Sequence, residues 1–159
     1  MLLSRHAKGC GSRVSGRALS TLNEGGVVAV GQQFSLSRTF TQADLVAFSD
    51  LSGDYNPIHL DAAAARAAGF ERPLCHGMLY STLFGTAFAR AVPGVLYVSQ
   101  SLHFKRPVYV DEALEAVIEV QEVRRRLCTF ATTLIKHGSG GETVVAVTGT
   151  GIARLPRLR

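Results

Sequence analysis

The spacing of hydrophobic positions changes along the chain, and each change marks off an element. After a Gly-bearing linker, "GQQFSLSRTF" (31–40) alternates apolar and polar side chains and predicts a first strand. "TQADLVAFSDL" (41–51) predicts a short helix with Thr41 as its N-cap and Ala43, Val46 and Ala47 on one face. The segment "LSGDYNPIHLD" (51–61) is too rich in Gly and Pro for regular structure. Asp61 then caps a short Ala-rich helix that stops at Gly69. "FERPLCHG" (70–77) is irregular, because Pro73 lacks a backbone donor and Gly77 loosens the chain.

From Gly77 to about Val92 the period is helical. Leu79, Leu83 and Ala87 form one stripe, with Tyr80, Phe84, Phe88 and Ala91 beside it. The remaining side is small (Ser81, Thr82, Gly85, Ala89), and only Arg90 is charged. Such a helix has no properly polar face and is expected to be buried nearly all round. Four strand-like runs follow. "VLYVSQSLHFKRPV" (95–108) places Leu96, Val98, Gln100, Leu102 and Phe104 on one face, and "ALEAVIEV" (113–120) alternates Leu114, Ala116, Ile118 and Val120 against more polar neighbours. "LCTFATTLI" (127–135) and "TVVAVTGTGIARL" (143–155) complete the set, joined by the "HGSGG" hairpin. The order predicts an α+β domain in which a curved antiparallel sheet wraps one central helix.

Length and charge narrow the function classes. At 159 residues the chain holds one domain with ample apolar content for a core, and no apolar run is long enough to span a membrane. The formal net charge is +5, but Arg5, Lys8, Arg13 and Arg17 lie in an acid-free first segment. The remainder carries 13 basic and 12 acidic side chains, a balance that argues against nucleic acid as partner. Residues 1–22 are Arg-bearing and Ser-rich without a long apolar core, the composition of an organelle transit peptide. The expectation is a mitochondrial matrix protein whose working domain spans 27–156. Cys10 leaves with the leader, and Cys75 and Cys128 are too few for a disulfide framework and match no metal motif.

The chemistry is concentrated in the Gly/Pro loop. Gly53 permits a tight turn before Asp54, and Asn56-Pro57 fixes another bend before His59. A stiff loop can present a carboxylate and an imidazole to one point, where they move protons near neutral pH. The alternative is that Asp54 only braces an Asx-turn and His59 is a satisfied, half-buried histidine.

The longer string "FSDLSGDYNPIHLDAAAA" (48–65) resembles the signature of the MaoC-like, (R)-specific enoyl-thioester hydratases, the mitochondrial hydroxyacyl-thioester dehydratases among them. The resemblance continues through "GFERPLCHGML", "QSLHFKRPVYVDE" and "VTGTGIARLP". It implies a hotdog fold, usually a homodimer joined through sheet edges, and no cofactor or metal. It also implies Asp54 and His59 as the catalytic pair and the Gly77 backbone N–H as oxyanion donor, with Gly53, Asn56 and Pro57 positioning the loop. Some members carry a Ser on the central helix where this chain has Gly85, leaving Ser81 as the nearby hydroxyl. The implied substrate is an acyl chain on acyl carrier protein or coenzyme A. Lys105 and Arg106, with Arg124, Arg125 and Arg126 at a hairpin, form a candidate basic patch for the carrier phosphate; a solvated turn is the other reading of those arginines.

Gln100 either bonds the overhanging loop or sits at a solvated edge, and His76 is expected to shape the turn before Gly77. A hotdog acyl-thioesterase is the first rival function, but residues 77–92 carry no Asp or Glu to serve one. A non-catalytic acyl-binding module is the second; it would need no intact Asp–His pair. The leader leads to the first prediction: protein from purified mitochondria begins near Leu19–Ser20. Intact-mass measurement checks this, and an N-terminus at Met1 would overturn it.

Overall fold

The computed structural model describes residues 28–138 and 140–157. The expected leader, its cut near Leu19–Ser20 and Cys10 lie outside the described residues. Strand β1 (Gln33–Thr39) is followed by helices α1 (Gln42–Ser52), α2 (Pro57–Leu60), α3 (Ala62–Ala67) and α4 (Gly77–Ala91). Strands β2 (Leu96–Phe104), β3 (Ala113–Arg124), β4 (Leu127–His137) and β5 (Thr143–Arg154) then build the rest of one sheet, in the order β1-β3-β4-β5-β2. Every neighbouring pair is antiparallel. The result is the α+β hotdog arrangement, with α4 lying on the sheet's inner face.

Period-two alternation places the sheet's half of the core. Leu114, Ala116, Ile118 and Val120 of β3 are all buried, as are Phe34 and Leu36 of β1. From α4 come Tyr80, Leu83, Phe84, Ala87 and Phe88. Phe88 is the hub: it stacks on Phe34 with ring centroids 5.4 Å apart and meets Phe130 edge-on at 5.1 Å.

Three sequence expectations are corrected here. The buried face of α1 is formed by Leu45 and Ser49, while Ala43, Val46 and Ala47 are exposed; the helix is only weakly amphipathic, and its single large buried anchor sets its roll. In β2 a bulge between Tyr97 and Ser99 shifts the register, so Tyr97 turns toward the core with Gln100 and Leu102, and Leu96 and Val98 face out. Helix α4 is not enclosed on all sides within one chain. Its sheet covers one side, and Met78, Thr82 and Ala89 are exposed on the other.

Gln100 neither reaches the overhanging loop nor faces water alone. Its Oε1 accepts from Tyr97 Oη at 2.7 Å and its Nε2 donates to Thr132 Oγ1 at 3.0 Å, a polar cluster under the sheet. Thr41 and Asp44 form a reciprocal capping box, and Arg38 of β1 bonds Asp44 Oδ1 at 3.0 Å, which anchors α1 to the sheet. The Phe88 cluster yields the second prediction. Phe88→Ala should lose about 3–5 kcal/mol of stability in urea unfolding. A loss below about 1 kcal/mol would contradict the placement of the core.

Candidate active site

The irregular segment between α1 and α4 owes its shape to local hydrogen bonds. Helix α1 ends at Gly53, whose φ of 77° is left-handed and whose N–H donates to the Ser49 carbonyl at 2.8 Å. Asp54 Oδ1 then accepts the Asn56 N–H at 3.2 Å, and Asn56 Oδ1 accepts the Ile58 N–H at 3.4 Å. Pro57 occupies the first position of α2, where a missing N–H costs nothing. Two successive Asx-turns therefore hand the chain from Asp54 to a four-residue helix that carries His59. The sequence predicts irregular structure across this stretch, and the helical turn Pro57–Leu60 departs from that expectation because Pro57 is preset for a first helical position.

His59 is held from below. Its Nδ1 lies 2.8 Å from the Leu74 carbonyl. A carbonyl only accepts, so Nδ1 bears the hydrogen and neutral His59 keeps its lone pair on Nε2. That Nε2 faces Asp54 Oδ2 at 4.0 Å. The gap is too long for a direct hydrogen bond, and a hydroxyl or water oxygen about 2.8 Å from both atoms fits between them. The Asp54 side chain is half-exposed and the His59 ring mostly covered, so the pair opens to solvent on the carboxylate side.

Beneath His59 lies His76, expected from the sequence only to shape the turn before Gly77. The two rings stack with centroids 3.8 Å apart and an interplanar angle of 26°. His76 is 2 % exposed, and its Nε2 lies 3.2 Å from the Asp54 main-chain carbonyl and 3.3 Å from Ser49 Oγ. Burial holds its pKa below the usual histidine range, with the facing His59 adding to the shift and the bond to the Asp54 carbonyl opposing it. The only signal for it in the sequence was a His directly before a helix-opening Gly.

Gly77 follows His76 as the first residue of α4. Among the described residues, neither its N–H nor that of Met78 has a hydrogen-bond partner, and His76 provides no side-chain cap. These free donors and the helix dipole favour negative charge beside the His59–His76 stack. A β-carbon at Gly77 would lie 3.1 Å from Phe104 Cε1, so a side chain there would press on that ring. Alongside runs a cleft of about 270 Å³, lined by Phe70, Leu74, Cys75, Tyr80 and Phe104, with Lys105 and Arg106 also on its wall. Burial raises the Cys75 thiol to about 12, which makes it a poor nucleophile.

The five candidate phosphate-binding cations do not form one patch within a chain. Lys105 and Arg106 follow β2 at Phe104, which pairs with Val147, whereas the Arg124–Arg126 hairpin adjoins Arg154, the partner of Leu96 at the far end of β2. The two ends are separated by eight residue steps of a strand, roughly 26 Å. Arg124 pairs with Glu122 at 2.6 Å, Arg125 is the left-handed turn residue, and Arg126 donates to the Leu155 carbonyl at 3.0 and 2.8 Å.

Asp54, His59 and His76 each offer a ligand atom within 4.8 Å of the others, so a metal has to be considered. The donor set fits poorly. Stacked imidazoles hold their lone pairs in nearly parallel planes, so a metal bridging the two rings would lie far out of both ring planes. What the cluster provides is a carboxylate, a basic imidazole nitrogen and free backbone N–H groups, a combination suited to proton transfer beside a developing oxyanion.

Comparison with known proteins identifies the family. Residues 27–138 match the family model described as the MaoC like domain. The chain is 40 % identical over 131 residues to an (R)-specific enoyl-CoA hydratase of Aeromonas caviae, covering 80 % of this chain and 95 % of that one. It is 38 % identical over 146 residues to a mitochondrial 3-hydroxyacyl-[acyl-carrier-protein] dehydratase of Arabidopsis thaliana, covering 89 % and 86 %. Among solved structures, the (R)-hydratase of A. caviae involved in PHA biosynthesis superposes with a TM-score of 0.74 at 41 % identity, over 81 % of this chain and 98 % of that one. Fold and sequence together make this chain a member of the MaoC-like dehydratase family.

Proposed function

We propose that the chain is a 3-hydroxyacyl-thioester dehydratase, a hydro-lyase that converts a (3R)-hydroxyacyl-[acyl carrier protein] into the trans-2-enoyl thioester and water. Run backwards, the reaction is (R)-specific hydration. The observation that carries this reading is the 4.0 Å approach of Asp54 Oδ2 and His59 Nε2, with the tautomer of His59 set by Leu74. Elimination requires a proton removed from C2, a proton delivered to the departing C3 hydroxyl, and stabilisation of enolate-like charge on the thioester oxygen. Asp54 and His59 meet the first two needs. The Gly77 N–H meets the third. These proton transfers involve no redox step and call for no cofactor.

The mitochondrial type II fatty acid synthesis setting rests on the acid-free leader and on the mitochondrial name of the Arabidopsis relative. A coenzyme A substrate is the second reading, favoured by the name of the Aeromonas relative. The thioesterase rival is disfavoured, because α4 supplies no carboxylate. A homodimer accounts for the open side of β2, an edge strand with Leu96 and Val98 exposed, and for bare Met78 on α4. Lys105 and Arg106, on the wall of the cleft, are the cations of choice for the carrier phosphate.

Asp54→Asn and His59→Ala should each slow crotonyl-CoA hydration by roughly 10²–10⁴-fold with unchanged circular dichroism. Near-native rates in either variant would remove that residue from the mechanism. Lys105→Glu with Arg106→Glu should raise KM for a carrier-bound substrate at nearly constant kcat. Equal response of carrier-bound and coenzyme A substrates would make the two residues a general phosphate site. No response from either substrate would exclude them from phosphate binding.

A further inference from the structure

The described structure contains one more group in contact with both members of the pair. His76 meets His59 face to face at 3.8 Å and reaches Asp54 through the carbonyl of that residue's own peptide. It is also joined covalently to Gly77. It is buried, so it does not meet substrate, and the proton transfers above make no use of it.

The position of its hydrogen follows from its neighbours. The Asp54 carbonyl can only accept, so Nε2 at 3.2 Å must donate. In the other tautomer two lone pairs would face each other there, and a buried Nδ1–H would be left without an acceptor, since Nδ1 has no partner. His59 donates through Nδ1 and His76 through Nε2, so the stacked rings hold opposite tautomers. Ser49 Oγ, fully buried on α1, lies 3.3 Å from the same Nε2 and ties the ring to the helix that ends at Gly53.

We propose that His76 is the positioning residue of the Asp54–His59 pair, fixing Asp54 by a hydrogen bond to its main chain and His59 by a stacked ring face. The proposal rests on the dehydratase reading. A loop of consecutive Asx-turns can rotate about Gly53, and the Nε2–H bond removes that freedom at the residue whose carboxylate must stay 4.0 Å from His59. The stack removes tilting of the His59 ring about its bond to Leu74.

Two substitutions separate the two contacts. His76→Phe keeps an aromatic face and removes the donor; His76→Gln restores an amide N–H at similar reach and removes the ring. In His76→Phe, kcat for crotonyl-CoA hydration should fall roughly 10- to 100-fold while KM stays within about threefold, as expected when alignment rather than binding is lost. His76→Gln should recover part of that loss. A purely structural histidine would instead lower the melting temperature and leave kcat per folded molecule unchanged in both variants, which would overturn the proposal. Long-range ¹H–¹⁵N spectra of the unmodified protein need no variant to fold: His76 must show the Nε2–H form and His59 the Nδ1–H form. An Nδ1–H form of His76 would also overturn it. Asp54→Asn and His59→Ala measured in parallel keep the two levels apart. If they are inactive while His76→Phe is fully active, only this inference fails; if they are active, the reading beneath it fails.

Discussion

The hydrogen bond from His59 Nδ1–H to the Leu74 carbonyl, 2.8 Å long, is the contact on which the site depends. It selects the tautomer that leaves Nε2 basic, and it aims that nitrogen at Asp54. It also clips the loop carrying the pair to the segment that runs through His76 into α4. In the proposed reaction proton transfer and oxyanion stabilisation act on one substrate at once, so the two halves of the site need a fixed relation. A single main-chain acceptor supplies it.

One such bond contributes only about 1 kcal/mol net, so the acceptor itself must be immobile. The Leu74 N–H donates to the Ile58 carbonyl at 3.1 Å, the Cys75 N–H to Val108 at 2.8 Å, and the Val110 N–H to Pro73 at 3.3 Å. Outside this short ladder, Glu112 accepts from Lys136 at 2.9 Å and from the Tyr109 N–H at 2.9 Å, and both Arg72 and Lys136 lie over the Tyr109 ring. The connection between β2 and β3 thus braces the segment from one side and α2 from the other.

Much of this was legible in the sequence, because the chemistry lies close together along the chain. Asp54 and His59 are five residues apart, and Asn56-Pro57 between them announces a bend. The core strand "ALEAVIEV" and the aromatic stripe of the helix after Gly77 follow the expected pattern, since burial there has a regular period, although the helix's other side is open. Features that arise only in three dimensions did not read. The β2 bulge shifts the faces between Tyr97 and Ser99, just after three consecutive apolar residues, Leu96, Tyr97 and Val98, so alternation could not reveal it. The roll of α1 depends on Leu45 finding the core, which outweighed three small apolar side chains. His76 lies seventeen residues from His59, and its stacking requires the whole fold; so does the separation of Lys105 and Arg106 from the arginine hairpin.

In the proposed reaction one carboxylate and one imidazole act from the same side of the substrate through a shared water. Hydration of trans-crotonyl-CoA in D₂O tests it directly, with the product resolved by chiral chromatography and its C2–C3 coupling read by NMR. Because Asp54 and His59 face a common point, deuterium at C2 and the hydroxyl at C3 should arrive on one face and give a (3R) alcohol bearing one deuterium. A (3S) product, or addition from opposite faces, would contradict the account.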